Sequence, residues 1–159
     1  MKKIILSLIT LFSMVISAET LTQKQEMLKQ FVVFQKALET KNGNTLKGMI
    51  KFPITIIEYG RDYEEAMKES DFLEELDAIT EHLKSFSYMK VDIANSTISG
   101  YFEKGHACSL NYTGDFRGNE LIITANWVSE ESNACDGHTA YKFKMYNNKL
   151  KLFDVETKL

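Results

Sequence analysis

The chain has 159 residues, with 19 lysines and arginines against 22 aspartates and glutamates, a formal net charge of −3. That length suits one domain with a real core. An acidic balance without any basic block argues against nucleic acid and anionic membrane as partners.

The first element is a leader. Lys2 and Lys3 precede an apolar run from Ile4 to Ile16, followed by the small pair Ser17–Ala18 and polar sequence from Glu19. This is the three-part pattern of a secretory signal peptide. The run is about 13 residues, short of the roughly 20 that span a bilayer, so no stable membrane insertion is expected after cleavage. Cleavage is predicted between Ala18 and Glu19, which makes residues 1–18 a signal peptide and 19–159 one exported domain. The dilysine start suits a bacterial leader, so a periplasmic or secreted location is expected. Without Lys2 and Lys3 the mature chain has 17 basic against 22 acidic residues.

A helix is predicted next. Met27, Phe31, Phe34 and Leu38 step by four, three and four, one helical stripe, and Asn42–Gly43 is expected to stop it. A short helical turn follows in NTLKGMI. Pro53 then opens a β-branched run, FPITIIEY, read as a strand with proline at its first position. A second long helix is predicted in SDFLEELDAITEHLKSF, with Asp71 and Glu74 as a capping box and Phe72, Leu76, Ile79 and Leu83 as the inward stripe.

From Lys90 the period changes to two. STISGYFEK, HACSLNYT, NELIITANWV, TAYKFKMY and KLKLFDVE read as successive strands, with a turn in Gly114–Asn119 and a tight hairpin at Asn147–Asn148. Leu121, Ile123, Ala125 and Trp127 share one face, as do Tyr141, Phe143 and Met145. Helices first and hairpin-linked strands second define an α+β fold, N-terminal helices packed on a curved antiparallel sheet.

At this point KGMIKFPITI, DFLEELDAI and YKFKMYNNKLKLFDVE resemble small exported bacterial proteins of the nuclear transport factor 2 and ketosteroid isomerase superfamily. Phe72, Leu73, Asp77 and Ile79 occupy that group's F-L-x-x-x-D-x-I places. The resemblance spans residues 22–156 and implies a cystatin-like cone. Its members include isomerases, dehydratases, adaptors and cell-wall-associated domains, so fold alone does not assign function. The resemblance also implies a homodimer, formed through the sheet, as one arrangement.

Two cysteines, Cys108 and Cys135, each have a histidine nearby, His106 and His138. A Cys2His2 zinc site needs reduced thiols, whereas an exported chain meets an oxidising compartment. With the start of the Cys108 strand beside the end of the Trp127 strand, a Cys108–Cys135 disulfide is predicted and no metal. Closing that loop stabilises the fold by roughly 3.5 kcal/mol in the chain-entropy account. The isomerase-like enzymes use a carboxylate and proton donors inside the cone. Here Asp77, one position past the stripe, is expected at the helix edge. Phosphate-loop, HExxH, GxSxG and CxxC patterns do not occur, and no cofactor is expected.

Binding remains. Trp127, Tyr141, Phe143 and Tyr59 are candidates to line a cleft or to fill the core, and Tyr59, Arg61 and Tyr63 form a polar-aromatic patch of the kind enriched at recognition sites. The predicted function is a non-catalytic binding or accessory domain, acting on cell-envelope material or a protein partner. The alternatives are an immunity-type inhibitor of a periplasmic toxin and an isomerase- or dehydratase-like enzyme.

Overall fold

A computed structural model describes residues 2–55, 66–103, 108–129 and 137–158, with the backbone alone for 2–20 and 103. Its helical part comprises α1 (Lys2–Glu39), α2 (Gly43–Gly48), α3 (Leu76–His82) and a 3-10 helix (Lys84–Tyr88). The strands are β1 (Lys90–Asp92), β2 (Thr97–Glu103), β3 (Ser109–Arg117), β4 (Glu120–Val128), β5 (His138–Tyr146) and β6 (Lys149–Lys158). Among the described residues the strands form one open antiparallel sheet in sequence order, β1 to β6. The fold is α+β, as expected. No helix among the described residues is long and apolar enough to cross a membrane.

The predicted stripe of α1 faces inward. Met27, Phe31 and Phe34 are fully buried and Leu38 nearly so. Phe31 and Phe34 meet Phe143 of β5 edge-on at 5.4 and 5.2 Å, and Phe86 of the 3-10 helix lies 5.9 Å from Phe31. Such T-shaped pairs add to simple area burial. Two glutamines on α1 tie it down further. Gln35 donates from Nε2 to the carbonyl oxygens of Phe86 and Met89. Gln30 donates to the Asn148 carbonyl at 3.0 Å and accepts from the Leu150 N–H at 2.7 Å, holding the β5–β6 hairpin.

The end of α1 differs from expectation. The left-handed residue is Lys41, at φ 49°, rather than Gly43. The Asn42 N–H bonds to the Ala37 carbonyl and the Lys41 N–H to that of Leu38, the paired bonds of a Schellman cap. Asn42 instead caps α2, its side chain accepting from the Thr45 N–H at 3.1 Å.

The second helix is shorter than its apolar stripe. Residues 71–74 form a turn, with the N–H groups of Glu74 and Glu75 bonded to the Asp71 carbonyl. The Asp71 carboxylate takes the Ser70 hydroxyl rather than capping a helix, and Glu75 is the N-cap of α3 without a side-chain bond. The cause is packing. Phe72 is fully buried and meets Phe52 edge-on at 5.5 Å, which anchors the segment ahead of the helix and overrides its propensity. Ile79 and Leu83 still point inward.

Of the predicted FPITIIEY strand, the described residues show one bridge. A cis Phe52–Pro53 peptide precedes Ile54, which pairs with Met67 through two backbone bonds; residues 56–65 lie outside the described residues. Just upstream, Ile50 bridges in parallel to Leu152, so residues 49–51 cover part of the β6 edge, where exposed pairing groups invite association.

Strand β3 runs on to Arg117, beyond the expected turn. The two-residue hairpin is Gly118–Asn119, with Gly118 at φ +59°, a conformation glycine adopts without strain. Asn147 and Asn148, at φ 48° and 61°, make the predicted tight hairpin between β5 and β6, the two positive φ values of a type I′ turn. A bulge between Lys142 and Phe143 shifts the β5–β6 register.

Candidate functional site

Cross-strand register sorts the inner face of the sheet into rows. Phe102, Leu110 and Trp127 are successive partners across β2, β3 and β4. The next row is Gly100, Tyr112, Ala125, Thr139 and Thr157, from β2 to β6. The third holds Gly114, Ile123, Tyr141 and Val155. The second row is made mostly of small residues between rows of large ones. Small side chains leave volume that their neighbours cannot fill.

That volume is a cleft of about 500 Å³ between the inner face and the segment of α3 and the 3-10 helix. Ala125, Thr139 and Thr157 line it from the sheet, and Ser85 and Tyr88 from the 3-10 helix. Gly100 does not open into it: a Cβ there would lie 3.0 Å from the Cα and Cγ of Met89, which covers it. The size falls within the range of ordinary small-molecule pockets.

The polar groups of the cleft are mainly hydroxyls. Tyr112 is 1% exposed and donates to the Ser85 hydroxyl, tying β3 to the 3-10 helix. The Thr139 and Thr157 hydroxyls lie 3.1 Å apart on the floor. Tyr141 stands edge-on to Phe86 at 4.7 Å, only 6% exposed, and also lines the cleft. Burial pushes both tyrosine hydroxyls up from their ordinary pKa, Tyr141 the more strongly, so both stay protonated at neutral pH. The charged lining residues, Glu81 and Lys84, are exposed and pair with each other at 3.3 Å. His82 is a half-buried lining residue.

Trp127 and Tyr141 are therefore brought together in one cleft, while Phe143 belongs to the core. Tyr59, Arg61 and Tyr63 lie outside the described residues, as do His106 and Cys135. Among the described residues there is no free cysteine, and Cys108 sits immediately before β3, two residues from Leu110, the partner of Trp127. His138 starts β5 opposite Asn126 and Lys158. No group of three or more His, Cys, Asp or Glu among the described residues is placed to hold a metal ion. Asp77 is at the exposed helix edge, paired to Lys41 at 2.6 Å; that pairing holds Lys41 above its ordinary pKa.

Sequence reasoning missed Ser85, Tyr112, Thr139 and Thr157. Tyr112 and Thr139 carry a period-two signal that places them inward, but nothing local to Ser85 marks it as the partner of a tyrosine 27 positions away. Comparison with known proteins adds no relative: no family model matches the chain, and neither a curated protein nor a solved structure matches it significantly.

Proposed function

We propose that this chain is an exported, non-catalytic binding domain with a cystatin-like cone, acting on cell-envelope material through the cleft beneath α3 and the 3-10 helix. The observation that carries the reading is the construction of that cleft. A run of small side chains, Ala125, Thr139 and Thr157, lies between Trp127 in one flanking row and Ile123, Tyr141 and Val155 in the other, and leaves about 500 Å³ lined by hydroxyls and rings. A core optimised for stability alone fills such space, because native interiors pack densely. The cone architecture is supported by helices on one face of an open antiparallel sheet and by the bulge at Lys142–Phe143, since bulges bend strands. Export is supported by the leader pattern, Lys2 and Lys3 ahead of the apolar run Ile4 to Ile16 and the small pair Ser17–Ala18.

Trp127 is the only tryptophan of the chain and lines the cleft, so its fluorescence reports occupancy. Titration with the uncharged dye 1-N-phenylnaphthylamine should transfer energy from Trp127 saturably, and Ala125→Leu, which fills the floor, should abolish the saturable signal while the circular dichroism is kept. Absence of saturable transfer in the unmodified protein would sink the binding reading.

A further inference from the structure

The cleft is not uniformly polar or apolar, and its two characters lie in separate strips. Phe102, Leu110 and Trp127 are neighbours on three adjacent strands. Strands lie roughly 4.8 Å apart, so these side chains form an apolar shelf, widened at one end by Tyr88, whose ring lies 4.9 Å from that of Phe102. Positions on the same face two residues further along a strand are roughly 7 Å away. There the lining changes to hydroxyls: Tyr112 with Ser85, Thr139 with Thr157, and then Tyr141 in the row beyond.

One of these hydroxyls stands apart. Tyr112 donates to Ser85, and Thr139 and Thr157 share a hydrogen bond, so each of these four hydroxyls has a protein partner. Tyr141 is more than nine-tenths buried and lines the cleft, yet its hydroxyl makes no hydrogen bond among the described residues. It is not sealed away from solvent. In an empty cleft such a hydroxyl is left to water, which a ligand group can displace. A donor held in that state inside a cleft is suited to an acceptor brought by a ligand.

Resting on the binding reading above, we infer that the cleft takes an uncharged saccharide of at least two rings, one pyranose lying flat on the shelf of Phe102, Leu110 and Trp127 and the next crossing the hydroxyl strip so that an edge oxygen accepts from the Tyr141 hydroxyl. A pyranose has a face of C–H bonds and an edge of hydroxyl and ring oxygens. The C–H face suits the electron-rich faces of aromatic rings. Its edge suits a strip of hydroxyls, which both donate and accept. A purely apolar ligand leaves the Tyr141 donor without an acceptor. A charged ligand finds no free counter-charge in the described lining, because Glu81 and Lys84 pair with each other at 3.3 Å and are exposed, and an unpaired charge taken from water is costly.

The test uses the mature protein and Trp127 fluorescence, with cellobiose and N,N′-diacetylchitobiose as uncharged probes, glucuronic acid as the charged one, and 1-N-phenylnaphthylamine as the independent reporter of the cleft. An uncharged disaccharide should change the Trp127 emission saturably and compete with the dye. Tyr141→Phe removes only the hydroxyl. It should weaken disaccharide binding between about 2-fold and 10-fold, the range of one neutral hydrogen bond, and leave dye binding and the urea midpoint unchanged or raised. Dye binding that Ala125→Leu blocks, without any disaccharide response, overturns the saccharide class while leaving the cleft a binding site. Glucuronic acid binding as tightly as the uncharged sugars overturns the charge argument. A Tyr141→Phe protein that loses stability but keeps its sugar affinity overturns the role given to Tyr141. Failure of both dye and sugars overturns the binding reading itself.

Discussion

Gln35 on α1 donates from Nε2 to the carbonyl oxygen of Phe86 at 2.7 Å, across 51 positions of sequence, and reaches the Met89 carbonyl at 3.2 Å with the same amide. It is 9% exposed. One side chain thus donates to two carbonyls at the end of the 3-10 helix that forms one wall of the cleft, that of Phe86 also accepting from the Met89 N–H. Orphaned carbonyls at helix ends need such partners.

Gln35→Leu keeps the approximate volume and removes both bonds. The expected loss is about 1–3 kcal/mol, the cost of leaving the Met89 carbonyl without its donor, since the Phe86 carbonyl keeps the Met89 N–H; it is read as a lower urea midpoint. Because the same bonds position Ser85 and Tyr88, dye affinity should fall as well. An unchanged midpoint would show that the Met89 carbonyl finds water instead.

Gly114 and Ile98 touch across β2 and β3. A Cβ at Gly114 would stand 2.8 Å from the Ile98 Cβ and 3.3 Å from its Cδ1 and Cγ1. Gly114→Val should therefore cost about 1–3 kcal/mol through overpacking. Adding Ile98→Ala should recover part of that loss, so the double-mutant cycle should give a coupling of at least about 0.5 kcal/mol. Strict additivity would place the two side chains out of contact.

Glu156 has its carboxyl pulled down to about 2, first by the hydrogen bond from Lys142 and then by that from Lys158. Its folded pKa lies below the ordinary value of 4.5. Its contribution is therefore present above that value and lost as pH falls from 4.5 toward 2. Lys142 is raised, chiefly by Asp154 and then Glu156, so its contribution is complete below 10.5 and lost only as pH rises beyond that. Lys142→Met should move the Glu156 titration, followed by NMR of the side-chain carboxyl carbon, back toward 4.5. A Glu156 midpoint already near 4.5 in the unmodified protein contradicts the pairing. The site is exposed, so the effect on global stability should be small.

Cys108 and Cys135 should form one intramolecular disulfide in the exported protein. Denatured, unreduced material should show no reactive thiol. Cys135→Ser should lower stability by about 2–5 kcal/mol, and His138→Ala should cost little. Zinc bound at one per chain, lost on changing either His106 or His138, would falsify the disulfide.

The mature protein should begin at Glu19. N-terminal sequencing of exported material should read ETLTQ; an intact Met1 on exported material contradicts cleavage. A protein expressed from residue 19 should keep the stability of the full chain, because it retains the buried stripe Met27, Phe31, Phe34 and Leu38.

Periodicity made the inward faces legible. Met27, Phe31, Phe34 and Leu38 on a four-three-four step, and Leu121, Ile123, Ala125 and Trp127 on a two-step, turn toward the core. The Asn147–Asn148 turn was equally plain, since few residues accept two successive positive φ values. Periodicity reports only which way a side chain points, not what stands opposite. The helix before Leu76 was lost to Phe72 and Phe52, a contact between segments twenty positions apart. The cleft depends on the strand pairings that align Tyr112, Ala125, Thr139 and Thr157 in one row. A cavity is the difference between the space the backbone encloses and the volumes that enter it, so neither Ala125 nor Thr139 announces it alone. Only when hairpin lengths set the register, and Gln35 and Tyr112 hold the 3-10 helix above that row, do small residues scattered over three strands become the floor of a single site.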